Sequence, residues 1–479
     1  MTDLPVYQLL KDAAIKWPAK PAIYDEHGMI TFEELYLQSE TLRKKLIELG
    51  VKRGMGIGVK ANNSRSFITG LFGAVGTGAA VMPMSHQLKK AEIEEILKDA
   101  RLHVLIDDMS GIPPILPVKE KIGLKDLTFS FSYTNLDSAI PFAPHVKDPA
   151  FMRFTSGTTG RSKGVIVSHR SVIERIEAAN IALQLGTGDT VVWVLPMAYH
   201  FIVSVVLYVR FGATIAIAKD FLAKSIIDIT NEHKCTLLYA SPMHIRLLAN
   251  DTGTGELPSL KKAISTSAAI SLDICKAFKR RFGIDVSQAY GIIEIGLPMI
   301  NFVKSEEHPE AVGYAIPGYT VDILDENYVP LPAGHVGQLA IKGPGMFDAY
   351  LVPPMEREEI LKNGYFLTAD YAVKSIDGLI TIQGRSMSVI NVSGMKVFPE
   401  EVEALLEMIP GIKHARISGS PHPMIGQVIE GEVVLQEGET IDIEKVLSYC
   451  RQRLSAFKAP QRLTIVESLP MTKTGKLIR

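Results

Sequence analysis

Apolar residues return at every third or fourth position across Pro5–Lys16 and Phe32–Leu49, which predicts two amphipathic helices. Gly50 follows the second, where a glycine commonly closes a helix. Met55–Lys60 is a short apolar run suited to a buried strand. A helix rich in small residues over Ser66–Ala80 then leads to a strand at Val81–Met84, and a helix at Lys90–Asp99 leads to a strand at His103–Ile106. Such alternation predicts an α/β protein with parallel or mixed sheets covered by helices. The Pro-rich stretch Gly111–Pro144 reads as an irregular surface excursion. After Arg385 the texture changes. Strands at Ser388–Val392, Ala415–Ser418 and Val428–Leu435 and helices at Glu400–Met408 and Asp442–Leu454 predict a separate α+β unit, and roughly a hundred residues is an ordinary domain size. The expected organisation is a large N-terminal domain, 1–385, and a small C-terminal one, 386–479.

A chain of 479 residues is long enough to need more than one core. Its 51 basic and 52 acidic residues leave a net charge of -1, which gives no general pull toward nucleic acid or an anionic membrane. The cysteines, Cys235, Cys275 and Cys450, are too far apart for a metal motif. So sparse a set fits a reducing cytoplasm. No cationic leader with an apolar core opens the chain. Thr190–Val209 lacks Asp, Glu, Lys and Arg, yet Pro196, Tyr199, His200 and Ser204 interrupt it. It reads as a buried strand at Val191–Leu195, a turn at Pro196 and a buried helix from Phe201, rather than a membrane span.

The strongest local chemistry lies in Phe154-Thr-Ser-Gly-Thr-Thr-Gly-Arg-Ser-Lys-Gly164, between apolar runs on either side. Gly157 and Gly160 let the backbone turn its N–H groups toward an anion, and Thr155, Ser156, Thr158 and Thr159 add hydroxyl donors. Lys163 supplies a point charge. The spacing is not that of a Walker A loop. A plain Ser/Gly/Thr hairpin is the competing reading, but so many hydroxyls beside a lysine favour a phosphate-gripping loop.

That loop resembles the signature of the adenylate-forming superfamily of acyl-CoA synthetases, luciferases and peptide-synthetase adenylation enzymes. Further segments resemble the family's motifs in order along the chain. They are Leu195-Pro-Met-Ala-Tyr-His200, Thr266-Ser-Ala-Ala269, Gln288-Ala-Tyr-Gly-Ile-Ile-Glu294, Gly337-Gln-Leu-Ala-Ile-Lys-Gly343, Tyr365-Phe-Leu-Thr-Ala-Asp370, Gly384-Arg385, Asn391-Val-Ser-Gly-Met-Lys-Val-Phe-Pro-Glu-Glu-Val-Glu403 and Pro470-Met-Thr-Lys-Thr-Gly-Lys476. The resemblance implies ATP-dependent activation of a carboxylic acid to acyl-AMP, followed by transfer to a thiol.

It also implies roles. Lys476 bridges the carboxylate and the α-phosphate, Lys163 serves the phosphates, and Glu294 with Thr155 holds Mg²⁺. The nucleotide falls to the loop Thr155–Gly160, to Ser267, Ala268 and Ala269, to Gln288, Ala289, Tyr290 and Gly291, and to Asp370 and Arg385 at the ribose. The acid pocket falls to Tyr199, His200, Val203, Ala240, Gly291, Ile295 and Leu297. Gly394 lies on the thiol channel, and Met387 is the hinge of a mobile lid domain. Taken singly, Glu294 is an ordinary surface carboxylate, Lys476 a solvated tail residue, Asp370 a helix cap and Tyr290 a core ring. His200 is as much a core histidine as a pocket one.

Several positions depart from the family pattern. Ser162 stands for proline, Ile293 for threonine, and Ala369 and Ser267 for glycine. Met387 replaces the usual aspartate or lysine, and His200 comes one position late, which puts Tyr199 in the histidine's place. No aspartate lies between Asp189 and Asp220 to hold an amino group. With Ile202 and Met299 also near the expected pocket, the substrate reads as an apolar acid, aromatic or fatty. The acceptor is CoA or a carrier protein's phosphopantetheine, and a non-turnover nucleotide-binding homologue is the rival. Neither nucleic acid nor a membrane span is expected, and monomer and homodimer both stay open.

Overall fold

The computed structural model describes residues 5–110, 113–134, 136–137, 139–156, 162–267, 270, 272–385, 390–393, 395–397 and 399–469. Two helices match the apolar periodicity closely, Pro5–Lys16 and Phe32–Glu48. A reciprocal cap starts the second: Glu34 N–H donates to Thr31 Oγ1 at 3.2 Å, and Thr31 N–H donates to the Glu34 carboxylate at 3.1 Å. Gly50 then takes φ +88°, the left-handed turn a glycine accepts without strain.

Strands collect into two nine-stranded sheets. In one, Val286–Ile292, Lys262–Ser265, Leu237–Ala240, Thr190–Trp193, Thr214–Ile217 and Pro21–Asp25 run parallel side by side. Antiparallel strands, Gly296–Ile300 and Gly28–Thr31, flank that parallel block. In the other sheet, Ser162–Ser168, Pro149–Ser156, Ala80–Ser85, Gly56–Ala61 and Val104–Asp108 are consecutive neighbours, with the short Ala349–Tyr350 beside Ser162–Ser168. One apolar core takes side chains from both sheets and from the helices Arg65–Val75, His169–Leu183 and Val205–Phe211, which explains why Arg65–Val75 is buried along its whole length. A four-stranded sheet follows, with Thr320–Leu324, Val336–Lys342, Phe366–Lys374 and Ile380–Arg385 in that order, the first three pairing antiparallel.

The chain divides into two compact units, the first drawn from Met1–His86, Ile96–Thr155 and Lys163–Gly384, the second dominated by the residues after Gly384. The second has its own core, built on the strands Ile412–His422 and Gly426–Leu435 and the helices Pro399–Glu407 and Ile443–Arg453. The fold is α/β with a large mixed-sheet domain and a smaller α+β one.

Two expectations fail. Gly111–Pro144 is not merely a surface excursion, because Thr128–Tyr133 pairs antiparallel with Val104–Asp108 and Glu120–Gly123 adds an edge strand. Phe129 and Phe131 alternate with serines and are fully buried. That period of two was in the sequence, obscured by the surrounding prolines. Nor does a single helix start near Phe201. A one-turn helix, Met197–His200, comes first, and Val205–Phe211 follows after a turn. Among the described residues no helix is long and apolar enough to cross a membrane.

If Phe131 is core rather than excursion, Phe131→Ala should lower unfolding stability by about 3–5 kcal/mol, the usual cost of deleting a buried ring. Denaturant titration reads this directly; a change below about 1 kcal/mol would return the segment to the surface.

Candidate functional site

Strands Val286–Ile292 and Gly296–Ile300 turn tightly on one another, with Ile292 opposite Gly296 and Ile295 N–H on the Ile292 carbonyl at 3.1 Å. The turn leaves no room at residue 291, where a Cβ would sit 2.8 Å from the Gly296 carbonyl oxygen. Glu294 rides on this turn, partly exposed. Its position is set by backbone bonds from two other segments. Phe347 N–H donates to the Glu294 carbonyl at 2.7 Å. From the helix His169–Leu183, the buried Arg175 guanidinium donates to the Ile293 carbonyl at 3.0 Å through Nη1 and to the Gly345 carbonyl through Nε and Nη2, at 2.9 and 2.6 Å. Gly345 has φ +65°, and a Cβ there would lie 2.5 Å from the Arg175 N and the Ser171 O. Burial pushes the guanidinium down to about 10, so it remains cationic at neutral pH.

The same connection brings Tyr350 to the base of the glycine-rich loop. Ala349 and Tyr350 pair antiparallel with Ile166 and Val165. Lys163, on that neighbouring strand, places its ammonium 4.8 Å from the centre of the Tyr350 ring. At its other end the Tyr350 hydroxyl donates to Glu294 Oε1 at 3.4 Å. Burial and the Glu294 charge raise the phenol's pKa, which keeps it a proton donor. One side chain thus touches the loop lysine and the turn carboxylate.

Tyr290 and Asp370 come from different sheets and meet directly, the phenol donating to Asp370 Oδ2 at 2.6 Å. Thr368 Oγ1 accepts from Asp370 N–H at 3.1 Å and fixes the local backbone. Gln288 is buried, its amide nitrogen on the Pro309 carbonyl at 2.7 Å and its oxygen accepting from Ile270 N–H at 3.4 Å. Ala289 is buried beside it. Ser267 takes φ +74°. A non-glycine residue pays about 1–2 kcal/mol there, which explains why the resemblance expects glycine at this position.

Of the residues expected at the acid pocket, Tyr199 and Val203 pack half-buried on the main core, and His200 ends the one-turn helix. Ile202, Ile295, Leu297 and Met299 are buried in that core and Ala240 in a neighbouring one. Asn63 holds the bend at Pro196 from both sides, accepting from Met197 N–H and donating to the Leu195 carbonyl, each at 2.8 Å. Thr155 and Ser156 end the strand Pro149–Ser156, and Arg385 ends Ile380–Arg385. Gly157, Thr158, Thr159, Gly160, Ala268, Ala269, Met387, Gly394 and Lys476 lie outside the described residues.

Arg175, Tyr350 and Asn63 were not singled out from the sequence. Their partners are backbone carbonyls or residues distant in the chain, which leave no local pattern. Arg175→Met should lower stability by about 3 kcal/mol or more, since it leaves the buried Gly345 carbonyl and the part-buried Ile293 carbonyl short of a charged donor. Chemical denaturation checks it, and an unchanged midpoint would show that water satisfies those carbonyls.

The AMP-binding enzyme family matches residues 10–351, and the AMP-binding enzyme C-terminal domain matches 401–476. The chain is 27% identical to a sulfoacetate–CoA ligase of Cupriavidus necator, over 98% of this chain and 96% of the relative. It is 25% identical to a fatty acid–[acyl-carrier-protein] ligase of Streptomyces coeruleorubidus, over 96% of this chain and 92% of the other. Among solved structures, an o-succinylbenzoate CoA synthetase from Bacillus subtilis shares the fold with a TM-score of 0.84 at 20% identity, covering 98% of this chain and 97% of that one. A match from residue 10 to 351, followed by the C-terminal domain, makes this chain a member of the AMP-binding enzyme family, the adenylate-forming superfamily that its motifs resemble.

Proposed function

We propose that this protein is an AMP-forming acid–thiol ligase. The observation that carries the reading is the convergence of Lys163, Tyr350 and Glu294 beside the glycine-rich loop. In the first half-reaction a carboxylate oxygen attacks the α-phosphorus of ATP and pyrophosphate leaves. Most of the work is alignment and charge neutralisation. Lys163 takes a phosphate oxygen, Asp370 and Arg385 take the ribose, and Tyr290 is tied to Asp370 at the adenine end. Lys476, delivered by the 386–479 domain turning about Met387, spans the two reacting anions. In the second half-reaction a thiol arriving past Gly394 attacks the acyl carbonyl carbon and AMP leaves.

Mg²⁺ fits the donor set, because it takes one or two carboxylates together with phosphate oxygens and water. Glu294, partly exposed on its turn, and Thr155 are the protein ligands we assign to it. Bound there, the ion neutralises phosphate charge. Among the described residues no group of three or more His, Cys, Asp and Glu gathers as a metal cage.

For the acid, the partly buried Tyr199 and Val203 beside an apolar core support a substrate with an apolar body. The names of the relatives range from sulfoacetate, oxalate and feruloyl to long-chain fatty acid, with CoA or an acyl carrier protein as acceptor. They support the reaction class without choosing a substrate.

Purified protein should exchange pyrophosphate into ATP only when a suitable acid is present. CoA, or alternatively a phosphopantetheinyl carrier protein, should then drive AMP release. Nucleotide binding without exchange across a broad panel of acids would leave only a non-turnover homologue. Tyr350→Leu should slow the exchange about 10-fold, by removing the ring under Lys163 and the hydroxyl on Glu294, whereas Tyr350→Phe should stay within a few-fold, given the small energy of a long phenol contact. Equal losses in both variants would assign the effect to the hydroxyl.

A further inference from the structure

The desolvated arginines of the large domain differ in what they hold: Arg65 pairs with Asp25 and Asp126. Arg175 spends its guanidinium on the Gly345 and Ile293 carbonyls. Arg153 does not. It stands on the strand Pro149–Ser156, two positions before Thr155, where most neighbours on the strand are apolar. Strand alternation puts Phe151 and Arg153 on one face. Phe151 packs edge-on against Phe201 at 5.6 Å, and Arg153 lies over the Tyr199 ring at 4.5 Å. Its Nη1 donates to the Tyr199 carbonyl. Its Nε–H is buried and has no hydrogen-bond acceptor among the described residues.

A buried donor without a partner costs about 1–3 kcal/mol, more when the group is charged. Burial pushes Arg153 down to about 10, with Tyr199 and Glu294 pulling it back up, so it is cationic at neutral pH. On a guanidinium, Nε–H and one Nη2–H point the same way, and that edge receives a carboxylate through two parallel bonds. With Nη1 committed to Tyr199, this is the edge left over.

We propose that Arg153 is a specificity-determining residue that binds a second anionic group on the acid, so that the preferred substrate is a carboxylic acid bearing a further carboxylate or sulfonate on an apolar body. This deepens the ligase reading and rests on it. The carboxylate that reacts stays near Glu294 and the nucleotide. The one held by Arg153 does not react, and it sits against Tyr199 at the floor of the acid pocket. A monoacid of equal length leaves the guanidinium unpaired, and a site built to bond a polar group discriminates strongly against the analogue that lacks it.

The test uses straight-chain monocarboxylic acids and α,ω-dicarboxylic acids of equal carbon number, from three to ten carbons, in acid-dependent pyrophosphate exchange. The wild type should show a higher kcat/KM for the diacid at one or more lengths. Arg153→Met should lower the diacid-to-monoacid ratio about 10- to 100-fold, the loss typical of a charged hydrogen bond. Arg153→Lys should fall between them, keeping charge but not the paired donors. Sulfonate-bearing acids of the same lengths show which oxyacid is preferred. A ratio that is the same in wild type and Arg153→Met overturns the proposal, as does a wild type that prefers the monoacid at every length. Melting temperatures report on folding; if Arg153→Met does not fold, the wild-type and Arg153→Lys ratios decide. Calorimetric binding of the paired acids without turnover separates the two ideas. Tighter diacid binding with no exchange refutes the ligase reading alone, and equal binding with active exchange refutes the role of Arg153 alone.

Discussion

The arrangement around Glu294 depends on a buried cation whose hydrogen bonds end on main-chain carbonyls. Arg175 is buried in the helix His169–Leu183, and its N–H groups end on two main-chain carbonyls, at Ile293 and Gly345. Removing a guanidinium from water is expensive, and carbonyl oxygens offset that only when they are rigidly aimed. The glycine at 345 makes the approach feasible, because any Cβ would strike the backbone of the helix. The result is a three-way junction of helix, turn and the segment leading to Tyr350.

From that junction the positions of Glu294, Tyr350 and Lys163 follow by register. Phe347 bonds the Glu294 carbonyl, Asp348 N–H bonds the Ile166 carbonyl, and Tyr350 pairs with Val165. A slip of one residue would turn Tyr350 to the opposite face and separate Lys163 from its aromatic neighbour. The sheet edge therefore does chemical positioning as well as structural pairing. Arg153 belongs to the adjacent strand of the same sheet, so Arg153 and Lys163 share one framework.

Much of the secondary structure could be read from the chain because it was local. Thr31 and Glu34 announce the helix they cap, and Lys90–Asp99 has the periodicity it adopts. Thr128–Tyr133 escaped because prolines on its N-terminal side suggested a loop, although Phe129 and Phe131 alternate as a buried strand must. At Pro196 the proline itself announces the turn, but the one-turn helix after it does not show in the chain, and the Asn63 side chain, from far upstream, holds the bend with bonds to the Leu195 carbonyl and the Met197 N–H.

By itself the sequence determined the α/β class, the separate C-terminal unit, and the order of motifs that places the chain among adenylate-forming enzymes. The first two are carried by apolar periodicity and the last by the resemblance of the motif residues themselves, and both are visible without a fold. Tertiary structure alone decided that Tyr350 joins Lys163 to Glu294, that Tyr290 meets Asp370 from another sheet, and that Arg175 bonds two carbonyls while Arg153 keeps a donor without an acceptor among the described residues. The physical reason is common to all of them. Their partners are backbone carbonyls, which every residue possesses, or side chains brought close by sheet order and register. Neither leaves a periodic trace in the chain that an observer could read in advance.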